Sequence, residues 1–327
     1  MAKRTMVQAL NLALHQEMRN DDRVIVLGED VGIDGGVFRV TEGLLDEFGQ
    51  ERVTDTPLAE GAIAGMSVGM AVYGLRPVAE IQFSGFSYLA FRQLECHAAR
   101  MRWRSRGSYH VPMVLRTPYG GGVRALEHHS ESREAYYAHT PGLKMVIPSG
   151  PRNARSLLLS AIRDPDPVVF FEPKAIYRAF REEVPDKEET LPLGQAQVVR
   201  EGGDLTLISY GAMMRPTLKA ADILEEEDGI HAEIIDLLTI SPLDFETFTA
   251  SVRKTGRAVV VTEAPRSFGP AAEIVSRMVE ESFWYLEAPI QRVTGYDVIM
   301  PLFAYEQVYL PGPQRIAAAA REALNVG

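Results

Sequence analysis

Short apolar runs separated by helical patterns organise this chain. RVIVLG (23–28), VAEIQF (78–83), PMVLRT (112–117), LKMVIP (143–148) and PVVFFE (167–172) are continuous apolar stretches of strand length. Such runs are expected of strands buried on both faces. Between most of them apolar residues recur at helical spacing, over 60–73, 87–105, 132–139 and 152–163. Near the start, Thr5 and Gln8 have the capping-box spacing, and Met6, Leu10, Ala13 and Leu14 follow on one helical face. This alternation predicts a mostly parallel sheet covered on both faces by helices. The polar, proline-bearing stretch REEVPDKEETLPLG (181–194) interrupts it. Strands are then predicted at 204–211, 231–237, 257–263 and 289–295, with helices near 215–227, 244–255, 270–282 and 313–325. A chain of 327 residues is long for one core. The expectation is two α/β units, residues 1–190 and a smaller one, 191–327.

Composition narrows the partners. A net charge of −10 argues against a nucleic acid or an anionic membrane. Arg100, Arg102, Arg104 and Arg106 cluster, but spacing by two spreads them around a helix, as on a solvated helix end. The lone cysteine, Cys96, excludes an internal disulfide and a thiolate metal cluster. It reads as a buried, reduced thiol beside His97. The first residues lack the apolar core of a signal peptide. The apolar run Gly61–Leu75 is shorter than the ~18 residues that suggest a membrane span. A cytoplasmic protein is expected.

The chemistry starts at DTPLAEGAIAGMSVGMA (55–71), where Glu60 is the one carboxylate at the mouth of a small, apolar run. Glu60 can simply be a helix-start residue favoured by the helix dipole. It can also be a carboxyl against an apolar wall, suited to proton chemistry. No G-x-G-x-x-G follows a strand, G-x-x-x-x-G-K-[ST] and H-E-x-x-H are absent, and no G-x-S-x-G nucleophile elbow is read, since GMSVG (65–69) lies inside the small, apolar run. The chain thus has an open α/β pattern without its own phosphate cradle. Three further segments, GEDVGIDGGVF (28–38), RPVAEIQFSGF (76–86) and TPYGGGVRALEHHSES (117–132), fall at or beyond predicted strand ends, where ligands of open α/β sheets gather. Taken singly, Gly120–Gly122 reads equally as a mobile loop, His128 and His129 as solvated residues, and Phe86 as core.

Together and in this order, these segments resemble the β subunit of the thiamine-diphosphate-dependent 2-oxoacid dehydrogenases, in the decarboxylating component of those complexes. GLKMVIPSGPRNARSLLLSAIRDPDPVVFFEPKAIYR (142–178) and SPLDFETFTASVRKTGRAVVVTEAP (241–265) extend the resemblance over essentially the whole chain. It implies a pyrimidine-binding domain followed by a transketolase C-terminal-like domain. It implies that Glu60 bonds the pyrimidine ring of thiamine diphosphate, that Leu58 and Gln82 line its pocket and that Phe86 stacks on it. His129 matches the histidine that assists acyl transfer to a lipoyl group, and a one-residue drift in alignment exchanges it with His128. In the family the α subunit carries Mg²⁺ and the diphosphate motif, so an α2β2 assembly with the cofactor between α and β is implied. A lipoyl acyltransferase core is the further partner, with Glu287 a candidate contact. A K⁺ ion is common in such β subunits, and the matching positions are Met113, Ala161, Ile162, Asp164 and Asp166, mainly through backbone carbonyls. A surface turn is the alternative there. Branched-chain members often have an acidic residue and a tyrosine where this chain has Gly85 and Phe86, whereas FFEPKAIYR leans towards branched-chain members. Pyruvate and branched-chain 2-oxo acids both remain open as substrates. An acetoin dehydrogenase-type β subunit and a non-catalytic assembly subunit are the rival readings.

Overall fold

A computed structural model describes residues 2–325. Its strands are β1 (Ala2–Arg4), β2 (Val24–Gly28), β3 (Val53–Asp55), β4 (Arg76–Glu80), β5 (Val114–Tyr119), β6 (Lys144–Val146), β7 (Val168–Pro173) and β8 (Glu182–Val184). They continue with β9 (Gln197–Arg200), β10 (Leu205–Ser209), β11 (Ala232–Asp236), β12 (Thr239–Ser241), β13 (Ala258–Pro265) and β14 (Gln291–Gly295). One sheet has the order β12-β6-β7-β5-β4-β2-β3, and the other β14-β13-β10-β11-β9. Within them only β12 and β9 run antiparallel to their neighbours. The two-domain, mostly parallel α/β expectation is met.

The central strands are buried along their whole length: all six residues of β5 and of β7, and all five of β10 and β11. Helices cover both faces, which is why these strands carry no polar alternation. Thr5 caps the helix Met6–Asn20 with the expected capping box. The helix Glu60–Val72 presents Gly61 and Gly65 to the helix Tyr88–Gln93; a Cβ on Gly61 would sit 3.5 Å from the Leu89 carbonyl. Small residues thus permit the close packing their spacing suggested.

Four features depart from the sequence pattern. The polar stretch 181–194 is not all linker, since β8 pairs antiparallel with β1. The predicted helix 87–105 is interrupted by a π-helical stretch, Leu94–Ala98, between Tyr88–Gln93 and Ala99–Arg104. Cys96 lies on that stretch and is half-buried rather than buried. The strand read at 78–83 runs from Arg76 to Glu80 and releases Gln82 and Phe83 beyond its end.

Candidate active site

The C-terminal ends of β3, β2 and β4 lie side by side, with Gly28 opposite Asp55 on one flank and Glu80 on the other. The loops leaving these ends carry the candidate residues, where ligands of parallel sheets are bound. Asp55 ties down the loop after β2: its Oδ1 accepts from the Gly32 N–H at 2.6 Å and its Oδ2 from the Ile33 N–H at 3.1 Å. Asp30 in that loop has φ 57°, a left-handed conformation that side chains seldom adopt. Its Oδ2 accepts from Gln82 Nε2 at 2.9 Å, so Asp30 orients Gln82.

Glu60 is the first residue of its helix and is only 7% exposed. No side chain caps this helix start, so its free N–H groups lie next to the Glu60 position. Glu29 is also buried, and its pKa is raised, first by burial and then by the charges of Glu60 and Asp30. A second carboxylate therefore accompanies Glu60, a neighbour that the sequence reading did not single out although it quoted the segment containing it.

One wall of the site is aromatic. The Phe83 ring meets the His129 ring edge-on at 4.4 Å between centroids, and Phe86 meets it at 5.2 Å. Phe83 and Phe86 are themselves 5.9 Å apart. The His129 Nδ1 is buried without a hydrogen-bond partner. The His128 side chain is 54% exposed, with Nδ1 3.8 Å from the Glu131 carboxylate and its ring 6.3 Å from that of Phe86. Of the two histidines, His129 is the one held between both phenylalanines. Gly85 makes this possible. A Cβ there would lie 1.9 Å from the His128 carbonyl oxygen, so any side chain would displace the histidine turn. Leu58, just before the Glu60 helix, is 78% exposed and so forms no closed pocket wall within this chain.

Behind the site, Arg116 is fully buried between two carboxylates. Its Nη1 donates to Glu80 Oε2 and its Nε to Glu172 Oε1, each at 2.7 Å, and the Tyr177 hydroxyl donates to Glu172 Oε2 at 2.5 Å. Burial works against the charge on Arg116, but Glu172 and Glu80 more than offset it and hold its pKa above the ordinary value. FFEPKAIYR therefore supplies core and ion-network residues. Phe170 and Phe171 are buried, and Glu172 and Tyr177 belong to this network.

The positions matched to K⁺ are engaged by other groups of the chain. The carbonyls of Ile162 and Asp164 accept from Arg76 Nη1 at 2.7 and 3.3 Å. The Ala161 carbonyl accepts from the Asp164 N–H. Lys144 pairs with the Asp164 carboxylate and Arg102 with that of Asp166, each at 2.6 Å. Met113 is buried in the core. Arg76 thus bonds two of the main-chain carbonyls, while Lys144 and Arg102 pair with the neighbouring carboxylates. Among the described residues no group of three or more His, Cys, Asp or Glu is placed to hold a metal ion. Glu287 is exposed in the second half of the chain and pairs with Arg257. Among the described residues no helix is long and apolar enough to cross a membrane.

Comparison with known proteins follows the same division. Residues 2–179 match the family described as "Transketolase, pyrimidine binding domain" and residues 194–316 that described as "Transketolase, C-terminal domain". The pyruvate dehydrogenase E1 component subunit beta of Acholeplasma laidlawii is 53% identical over 322 residues, covering 98% of this chain and 98% of its own. The protein of that name from Bacillus subtilis is 52% identical over 325 residues, covering 99% and 100%. A solved structure described as a split gene transketolase, inactive beta4 tetramer, shares the fold, with a TM-score of 0.82 at 22% identity over 99% of both chains. This chain belongs to the family of pyruvate dehydrogenase E1 β subunits, 2-oxoacid dehydrogenase β subunits built from transketolase pyrimidine-binding and C-terminal domains.

Proposed function

We propose that this chain is the β half of a cytoplasmic, two-chain enzyme that decarboxylates pyruvate oxidatively with thiamine diphosphate and passes the acyl group to a lipoyl acyltransferase. The observation that carries the reading is buried Glu60 just beyond the end of β3, with a second buried carboxylate, Glu29, that feels its charge, and with Phe83, Phe86 and His129 clustered beyond β4 and β5. Glu29, Asp30, Glu60, Gln82, Phe83, Phe86 and His129 include no lysine or arginine. Such a set suits a neutral heteroaromatic ring and repels a diphosphate. This supports a divided site, with Mg²⁺ and the diphosphate held by an α subunit in an α2β2 assembly. The exposed Leu58 then becomes part of the wall that closes against that partner.

When bound, thiamine diphosphate supplies a nucleophilic carbon and an electron sink for decarboxylation. Glu60 would hold the pyrimidine ring through its carboxylate and favour the proton arrangement that activates it. Its burial limits competition from water and strengthens that contact. Gln82, fixed by Asp30, would orient the ring, and Phe86 would cover it. The unpartnered His129 Nδ1 is available to hold a proton during acyl transfer. Acid–base help of this kind contributes on the order of 10²–10⁴ in rate. The names of the relatives favour pyruvate over branched-chain 2-oxo acids. We divide the chain at 190/191, between β8 and β9, and keep Glu287 as a contact for the acyltransferase core.

The test is co-expression with the α subunit and assay of thiamine-diphosphate-dependent reduction of an artificial electron acceptor. Turnover should need both chains, prefer pyruvate to 3-methyl-2-oxobutanoate and fall at least about 10²-fold in Glu60→Gln. Turnover indifferent to Glu60 would leave a non-catalytic assembly subunit.

A further inference from the structure

The glycine segment Gly120–Gly122 begins a loop that ends at the histidine turn, and the loop is closed at its base by the Gly120 N–H donating to the Glu131 carbonyl at 3.1 Å. Three buried side chains grip that base. Lys174, just beyond β7, donates to the Gly120 carbonyl. Glu263 on β13 accepts from the Gly121 N–H at 2.9 Å, and Glu306 accepts from the Gly122 N–H. Lys174, Glu263 and Glu306 are each no more than 3% exposed. The fit has no slack: at Gly120, with φ 78°, a Cβ would lie 2.4 Å from Glu263 Oε1, and at Gly122, with φ 95°, 2.6 Å from the Ala175 Cβ. Glu263 and Glu306 come from the second domain, whereas the loop belongs to the first.

We propose that Lys174, Glu263 and Glu306 are positioning residues for acyl transfer: they clamp the base of loop 120–131 so that His129 stays between Phe83 and Phe86. The second domain thereby takes part in ordering the reaction centre, beyond its contribution to assembly. The inference rests on the role given above to His129. The electrostatics agree with a deliberately buried cluster. Burial pushes the Lys174 pKa down to about 8 against the pull of Glu263 and Glu306. Burial raises Glu263 to about 7, despite the bond from Gly121. Buried charged groups of this kind are retained only where they are paired or hold something in place.

The experiment uses the assembled α and β chains with Lys174→Met, the charge-neutral pair Lys174→Met/Glu263→Gln, Glu306→Gln and His129→Asn. Amide hydrogen exchange is followed in peptides spanning 118–131 and 167–172, and lipoyl acylation is compared with artificial-acceptor reduction. Loosening the clamp should speed exchange in 118–131 about tenfold or more, with 167–172 unchanged. Lipoyl acylation should fall about 10- to 100-fold, the scale of a 1 Å misplacement, while acceptor reduction stays within about threefold. His129→Asn should lose acylation with exchange unaltered. Unchanged exchange in all three clamp variants overturns the proposal. So does faster exchange without loss of acylation, or an equal loss of both activities. Acylation unaffected by His129→Asn would instead sink the role given to that histidine, while exchange still reports whether the clamp holds the loop. If Lys174→Met fails to assemble, the neutral pair and Glu306→Gln decide.

Discussion

Replacing Asp236 by asparagine should flatten the dependence of stability on pH. Asp236 ends β11, is 2% exposed and accepts a bond from the Ser149 hydroxyl, across the junction of the two sheets. Its Oδ1 is buried without a partner. Burial raises its pKa to about 7, against the Ser149 bond and the influence of the Leu238 backbone, which favour the anion. The unfolded value is about 3.9. The folded pKa is the higher one, so between these values the folded chain keeps a proton that the unfolded chain has lost. Stability therefore falls as pH rises through that window, and the loss is complete just above about 7. Linkage with these two values gives a cost of roughly 2 kcal/mol at pH 5.5 and roughly 4 at pH 8. Asparagine keeps the shape and does not titrate. The stability difference between Asp236→Asn and the native protein should therefore move in favour of the variant by about 2 kcal/mol from pH 5.5 to 8. That is about 4–8 °C in melting temperature for a unit of 150–250 residues. Thermal unfolding of both proteins at half-unit pH steps gives the comparison, which cancels contributions from Glu263 and other titrating groups. Parallel curves would mean that Asp236 is ionised in the folded protein throughout, and the burial argument would be wrong.

Two further substitutions probe the groups behind the site. Arg116→Met leaves Glu80 and Glu172 buried without their counter-charge, which should cost about 3–5 kcal/mol. The melting temperature by circular dichroism should drop by about 6–20 °C, and adding Glu80→Gln and Glu172→Gln should recover part of it; no drop would show that water reaches the network. Gly85→Ala drives a Cβ into the His128 carbonyl. It should lower lipoyl acylation about 10- to 100-fold, with a smaller effect on acceptor reduction; unchanged acylation would mean that the histidine turn has room to move.

The sequence made the buried centre legible and the edges illegible. Strands such as β5, β7, β10 and β11 are written as apolar runs because both faces are covered. β1, β3, β8 and β12 have three residues each, and their existence depends on a partner far away in the chain, which no local period records. The π-helical stretch at Leu94–Ala98 is hidden for a similar reason: its residues fit an α-helical pattern equally well. At the site, Glu60 stood out because a lone charge precedes small apolar residues. Gln82, Phe86 and His129 were reached through resemblance, and the structure adds a reason for preferring His129 to His128. Glu29, Phe83, Lys174, Glu263 and Glu306 were not singled out. Each is an ordinary residue in sequence and acquires meaning only from what faces it. The K⁺ positions were reached through resemblance alone, because a carbonyl has no signature, and Arg76, which bonds two of them, lies far away in the chain.

The edge of the first sheet is finished by a strand from beyond the interdomain stretch. β12 lies against β6, and its residues Thr239–Ser241 follow β11 of the second sheet. On the ribosome, the first sheet therefore emerges with β6 uncovered and waits for about fifty more residues before its border can be sealed. An apolar strand with open backbone groups is a template for pairing with another chain. Nascent chains are thus most vulnerable to aggregation in the interval between the two halves. A fragment cut at the polar stretch would carry that raw border permanently, which makes the two units separable on paper but not as independent products.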